Sequence, residues 1–238
     1  YLCNQYKSNK IMLIVIEGLD GAGKSTQVKL LKDYIVSKGL ELKYLHFPRY
    51  ESSLYGELIA KFLRGDFGAL EDVHPQLVAL LFAEDRRDAS AVIKEWLNNG
   101  YCVLLDRYVY SNIAYQCSKL KDKKEAKALE EWIFNTEYNV FGIPKPNVNI
   151  FLDVPIGFVD KKLKECRSGD DDREYLNGKA DIHEADINFQ IGVRDIYLQQ
   201  SISDANFIRI DCSDITGNML HPAQIFSRIE TVVNKVIK

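Results

Sequence analysis

Apolar runs in this chain stop at about half a dozen residues, where a membrane-spanning helix needs roughly 20. An excess of one charge is also missing: 31 Lys and Arg stand against 34 Asp and Glu, a net charge of −3. That balance gives no general basic field for nucleic acid, so any anionic ligand must be held by a few placed cations. The five cysteines (Cys3, Cys102, Cys117, Cys166 and Cys212) are scattered, without a C-x-x-C pair or metal-type spacing. An odd, dispersed set suits free thiols in a reducing cytosol and argues against a disulfide framework. The first ten residues are polar, which argues against a secretory leader and reads as a polar N-terminal extension. Internal repeats and low-complexity segments are absent.

What is present is alternation. Short apolar segments at Met12–Ile16, Leu42–Phe47, Cys102–Leu105, Val148–Leu152 and Phe207–Ile210 read as strands covered on both faces. Helical patterns fall between them. Lys24–Ser37 carries Val28, Leu31 and Ile35 on one stripe and stops at Gly39. A long helix is expected from about His74 to Asn98. Asp181 with Glu184 resembles a capping box opening a helix with Ile182, Ala185, Phe189, Val193 and Ile196 on its apolar face. A last helix is expected at Pro222–Val236. The pattern predicts a single α/β domain over 1–238, with a five-stranded, mainly parallel sheet between two helical layers. Ligands in such sheets collect at the carboxyl ends of the strands. The one irregular segment, 167–179, mixes three consecutive aspartates with Arg167, Arg173 and Lys179 and is expected to be a lid.

The first apolar run leads into Gly18-Leu19-Asp20-Gly21-Ala22-Gly23-Lys24-Ser25-Thr26, a G-x-x-x-x-G-K-[ST] loop between strand and helix. Its glycines let successive N–H groups face an anion, and the following helix adds its positive end. Lys24 can reach β- and γ-phosphates, and the Ser25 hydroxyl can ligate Mg²⁺. This pattern predicts a P-loop fold that binds a nucleoside triphosphate. Val103-Leu104-Leu105-Asp106 ends an apolar strand in a carboxylate, as Walker B segments do, and Arg107 follows at the strand mouth. An Asp at a strand end also serves turns, and an Arg there also serves a structural ion pair. Phe82 and Arg86 are spaced i, i+4 and share a helix face. Unaided, they read as readily as a core ring and a solvated charge.

The phosphate loop, Phe47-Pro48-Arg49, Leu80-Leu81-Phe82-Ala83-Glu84-Asp85-Arg86, Asp106-Arg107-Tyr108 with Ser111, and Phe189-Gln190 follow the order seen in thymidylate kinases. The resemblance runs from about residue 11 to 212 and is most specific at 106–116, Asp-Arg-Tyr-x-x-Ser-Asn-x-Ala-Tyr-Gln. It implies transfer of the ATP γ-phosphoryl to dTMP, with ATP as co-substrate and Mg²⁺ as the metal. It places thymine against Phe82 with Arg86 on O4, Asn112 near the base edge and Tyr115 beneath the sugar, while Gln116 could also reach the base. Ser111 reads equally as a ligand or as helix packing. Asp20 matches an acidic position near the acceptor 3′-hydroxyl and the metal, and Arg49 a clamp on the dTMP phosphate. Gln190 matches a position near the acceptor. Some relatives carry an arginine where Gly21 stands. Without it, the family supplies the transition-state cation from the lid, which points to Arg173 first and Arg167 second. The resemblance also implies a homodimer of small-molecule specificity in the cytoplasm.

Because a phosphate monoester is already an oxyanion near neutral pH, no general base is needed; alignment and charge neutralisation by Lys24, Mg²⁺, Arg107 and a lid arginine suffice. Adenylate kinases usually show a Pro in the loop, and GTPases need Asn-Lys-x-Asp; neither occurs here. Deoxynucleoside kinases share the layout but need a base for a neutral 5′-hydroxyl.

Overall fold

The computed structural model describes residues 12–51, 53–166, 171–179, 181–184 and 186–237. Five parallel strands form one sheet in the order β2-β3-β1-β4-β5: β1 (Met12–Gly18), β2 (Leu42–His46), β3 (Cys102–Asp106), β4 (Val148–Asp153) and β5 (Phe207–Asp211). Each strand starts where expected, and all but β2, which ends one residue early, run slightly further. β1, β3 and β4 are buried along their whole lengths because helices cover both faces. Each buried Val, Leu or Ile in them contributes about 1.5–3 kcal/mol of transfer free energy.

Helices α1 (Lys24–Ser37), α2 (Ser53–Leu63), α3 (Pro75–Asn98), α4 (Val109–Cys117), α5 (Lys123–Phe134), α6 (Ile156–Cys166), α7 (Ile187–Ser203) and α8 (Pro222–Ile237) complete the layers. α1 has the predicted bounds and buries Val28, Leu31 and Ile35. Asp122 caps α5 by accepting from the N–H groups of Lys124 and Glu125. A π-helical segment, Asn135–Val140, continues α5 inward. α7 corrects the predicted start. Asp181 does not cap it: its Oδ1 accepts from the His183 N–H at 2.8 Å, closing a local turn. The cap is Asp186, whose side chain accepts from Asn188 N–H. Ile182 accordingly leaves the α7 stripe and packs against a second cluster of Ile59, Phe62, Leu63 and Val78.

β1 lies at the centre, hydrogen-bonded to β3 on one side and β4 on the other. Chain connections diverge from its carboxyl end, which opens the crevice where ligands bind in such sheets. Among the described residues no helix is long and apolar enough to cross a membrane.

Candidate active site

Directly after β1, Gly21 and Gly23 adopt φ of 71° and 75°, a left-handed conformation that costs glycine nothing. The loop thereby turns its amides toward a cavity walled by Gly21–Ser25, Asp106, Arg107, Tyr50 and Tyr175. Lys24 folds over the loop and donates to the carbonyls of Leu19 (2.7 Å) and Gly18 (3.3 Å). Burial, with the Arg107 charge nearby, lowers its ammonium to about 8. Asp106 sits across this cavity. Burial opposes its charge, but the His46 ring, 3.4 Å away, together with Lys24 and Arg107 holds its carboxyl below the usual range.

Asp106 Oδ1 is buried and has no hydrogen-bond partner among the described residues. An oxygen left open in this way, in the cavity that Ser25 also lines, fits Mg²⁺, which is commonly held by one or two carboxylates plus phosphate oxygens and water. Among the described residues no cluster of three His, Cys, Asp or Glu could hold a metal by itself. A cation held here would take its remaining ligands from water or from a bound anion.

Arg107 is the junction of the site. Its φ of 66° is uncommon for a side-chain-bearing residue, and such strain tends to persist where surrounding contacts fix it. Its N–H donates to Ile16 O at 2.8 Å. Nη1 donates to Gly18 O at 2.9 Å and to Ser111 Oγ at 3.2 Å, and Nη2 pairs with Asp20. Asp20 also accepts from Tyr115 OH (2.7 Å) and Gln190 Nε2 (3.3 Å). Burial works against the Asp20 charge, but Arg107 and then Lys24 outweigh it, and the carboxyl falls to about 2. Behind Arg107, the fully buried Glu17 accepts from the N–H groups of Tyr108 (2.9 Å) and Ser111 (3.2 Å), from the Ser111 hydroxyl and from Tyr197 OH (3.1 Å). Burial raises its pKa. This carboxylate ties the start of α4 to the end of β1 and so sets where Arg107 lies.

Arg107, Asp20, Tyr50 and Tyr175 also line a second, more apolar recess that continues to Phe82, Arg86, Asn112, Tyr115, Gln116 and His183. Arg86 is 2% exposed, and Glu137, from the π-helical segment, takes its Nε and Nη2 at 2.5 and 2.7 Å. Its Nη1 has no hydrogen bond to a described residue. Asn112 Nδ2 donates to the same Glu137 at 2.9 Å and to Ala79 O at 3.0 Å. Asn112 Oδ1 is buried without a partner among the described residues. The recess therefore presents one spare donor and one spare acceptor next to an aromatic ring. His183 packs between Tyr115 and Phe189, ring centroids 5.1 and 5.4 Å away. Burial, with Lys119 adding to it, holds its imidazole well below its usual pKa, so it is neutral.

Phosphate loop, Asp20, Phe82, Arg86, Asp106, Arg107, Ser111, Asn112, Tyr115 and Gln116 are thus brought to one double chamber. The Ser111 hydroxyl is shared by Glu17, Tyr197 and Arg107. Gln190 reaches Asp20 but lines neither chamber. Arg49, expected as a phosphate clamp, is turned toward α3. Its Nε pairs with Asp85 at 2.8 Å and its Nη2 with Asp88 at 2.6 Å, and it lines neither chamber, because two carboxylates one turn apart on α3 draw it aside. Its neighbour Tyr50 forms the wall instead. Arg167 lies outside the described residues, and so does the side chain of Arg173, whose backbone belongs to a 3-10 turn, Asp171–Leu176. That turn is held by Arg64, one residue past α2, whose Nη1 donates to Tyr175 O (2.6 Å), and it stacks Tyr175 on Tyr50, centroids 3.8 Å apart. Thr26 faces a third recess beyond the loop, shared with Phe158, Cys212 and Met219.

Glu17, Glu137, Tyr50, Tyr175 and His183 escaped the sequence reading. A carboxylate inside an otherwise apolar strand was the one available signal, at Glu17. The thymidylate kinase family profile matches residues 16–220. The thymidylate kinase of Mycobacterium tuberculosis is 36% identical over 171 residues, 71% of this chain and 78% of that protein. A probable thymidylate kinase of Methanosphaera stadtmanae is 31% identical over 205 residues, 85% of this chain and 90% of its own. Among solved structures, the thymidylate kinase of Candida albicans, described as broad in substrate specificity, superposes with a TM-score of 0.69 at 26% identity, covering 96% of this chain and 94% of that one. With the loop, the Asp-Arg junction and the aromatic recess in the matched span, this chain belongs to the thymidylate kinase family of phosphotransferases.

Proposed function

We propose that this chain transfers the γ-phosphoryl group of ATP to dTMP, giving ADP and dTDP, with Mg²⁺ held by Ser25, Asp106 and the phosphates. Adenine would occupy the recess beside Thr26 and Cys212. The observation that carries the reading is the spare pair in the acceptor recess. Arg86 Nη1 is a donor and Asn112 Oδ1 an acceptor, both supported from behind by Glu137 and both beside Phe82. Thymine offers O4 as acceptor and N3–H as donor, which this pair matches, whereas cytosine reverses both. Tyr115 would underlie the sugar. An arginine of the lid, Arg173 or Arg167, would complete the positive charge around the transferred group.

The loop N–H groups and Lys24 hold the donor phosphates, and Arg107, which borders both chambers, faces the gap between them. An oxygen of the dTMP phosphate forms the new bond to the γ-phosphorus, and the bond to the β,γ-bridging oxygen breaks, its electron pair leaving with ADP. When bound, Mg²⁺ supplies neutralisation of the β- and γ-phosphate charge. Asp20, ionised and saturated by Arg107, Tyr115 and Gln190, is a poor proton acceptor at neutral pH; this favours a phosphate acceptor over a nucleoside hydroxyl. A homodimer is proposed with it, supported by the exposed Leu54 and Leu77 on the packed pair α2 and α3.

An ADP-release assay with dTMP, dUMP, dCMP, AMP and thymidine tests the reading. We expect kcat/KM to be highest for dTMP and about a hundredfold or more lower for dCMP. Faster turnover of thymidine or AMP than of dTMP would overturn it.

A further inference from the structure

Behind the recess sits a cation that the functions above leave without a role. Gln116 is buried, lies one turn beyond Asn112 on α4 and lines the recess. Lys119, half-buried just past α4, places Nζ 2.7 Å from Gln116 Oε1 and 4.8 Å over the Phe62 ring. An ammonium has three N–H donors and no acceptor. The amide must therefore turn its oxygen toward Lys119. The other end, Nε2 with two donors, makes no hydrogen bond to a described residue.

Taken from α3 and then along α4, the polar groups lining the recess alternate in sense. Arg86 Nη1 is a donor, Asn112 Oδ1 an acceptor, and Gln116 Nε2 a donor four residues further on, about 6 Å along α4. The pairing edge of thymine runs O4 acceptor, N3–H donor, O2 acceptor, the complement of that order. A freely rotating amide would present oxygen to O2 in half of its orientations and repel it.

We propose that Lys119 is a positioning residue for base recognition: it locks the Gln116 amide so that Nε2 donates to the 2-oxygen of the pyrimidine, completing a donor–acceptor–donor wall. The inference rests on the dTMP reading above. Lys119 never touches the nucleotide; it acts through Gln116 alone. Burial lowers its ammonium to about 7, while Asp181 and Glu71 pull it back up and the neutral His183 faces the same space. The cationic lock is thus best measured at about pH 6.

The test compares dTMP with 2-thio-dTMP, whose sulfur is a weak acceptor, at about pH 6. Taking the ratio of the two substrates cancels the ionisation of their shared phosphate. The unmodified enzyme should lose about two- to tenfold in kcat/KM on 2-thio-dTMP, the value of one neutral hydrogen bond, through KM for the acceptor. That loss should shrink to within about twofold in Gln116→Ala and in Lys119→Met, and Lys119→Arg should restore it. The penalty on 4-thio-dTMP, read by Arg86, should persist in every variant. Equal use of dTMP and 2-thio-dTMP by the unmodified enzyme, or an undiminished penalty in Gln116→Ala or Lys119→Met, would overturn the inference. Gln116→Ala decides the amide contact even if Lys119→Met fails to fold. A protein that turns over dTMP with an unchanged thio ratio sinks this inference alone, whereas one inactive on dTMP sinks the function proposed above.

Discussion

The two chambers are built by opposite means. The phosphate-loop chamber has one wall made of a continuous stretch, Asp20–Ser25, which offers turns, amides and one lysine, closed by side chains after β2 and β3. The acceptor recess is made largely of side chains from α3, α4, the segment after β2 and the 181–184 turn, held in place by a buried Arg86–Glu137 ion pair and an Asn112–Glu137 hydrogen bond reaching across tens of residues. A backbone cradle is generic and serves any triphosphate. A side-chain wall can be specific, and its specificity depends on supports that never meet the ligand. Substitutions in the two regions should therefore fail differently.

The largest effect belongs to the loop. Lys24→Ala should lower turnover by about a thousandfold, roughly 4 kcal/mol of barrier, while the thermal transition and the ranking of acceptor bases stay unchanged. Rapid-quench kinetics with the full acceptor panel would show it; an altered base ranking would break the division between chambers. Next comes Glu137→Ala, which leaves Arg86 buried without its partner. A loss of about 3–5 kcal/mol in denaturant titration is expected, together with a raised KM for dTMP and an unaltered KM for ATP. A stability loss below about 1 kcal/mol would mean that the recess does not depend on its buried pair.

A third test concerns the turn that roofs the recess. Burial, with Asp20 adding to it, raises Asp181 from 3.8 to about 8. The folded protein then keeps a proton that the unfolded chain releases. Stability is full below about pH 4 and declines as pH rises toward about 8. Asp181→Asn removes that slope, so its melting temperature should exceed that of the parent at about pH 8 and converge with it near about pH 4. Parallel pH profiles for the two proteins would show that the carboxyl is solvated instead.

The sequence made the phosphate loop itself legible because its determinants are local. The five strands and α1 follow from apolar run length and stripe spacing, and the loop follows from glycine placement. Arg49 shows where local reading ends. Its partners Asp85 and Asp88 lie 36 and 39 residues away, so nothing near it distinguishes a clamp from a structural ion pair. Glu137 is hidden for the same reason, 51 residues from Arg86 and on a π-helical segment that spacing rules do not predict. The start of α7 failed through competition: Asp181 and Asp186 both precede isoleucine and both suit a cap, and only tertiary packing assigns one to a turn. Phe82 shows the converse, since a recess beside it gives an ordinary ring a ligand-facing side.

Asp20 and Arg107 have a consequence for how an acceptor arrives. Their guanidinium–carboxylate contact lets the site rest with its own surrogate anion in place, so the cation is aimed before any nucleotide enters. On the proposed reaction, an incoming acceptor phosphate would meet an occupied berth and would have to share or displace the resident carboxylate, which Tyr115 and Gln190 are already placed to retain. Affinity would be surrendered in that exchange, in return for a guanidinium that needs no searching when the reactants meet.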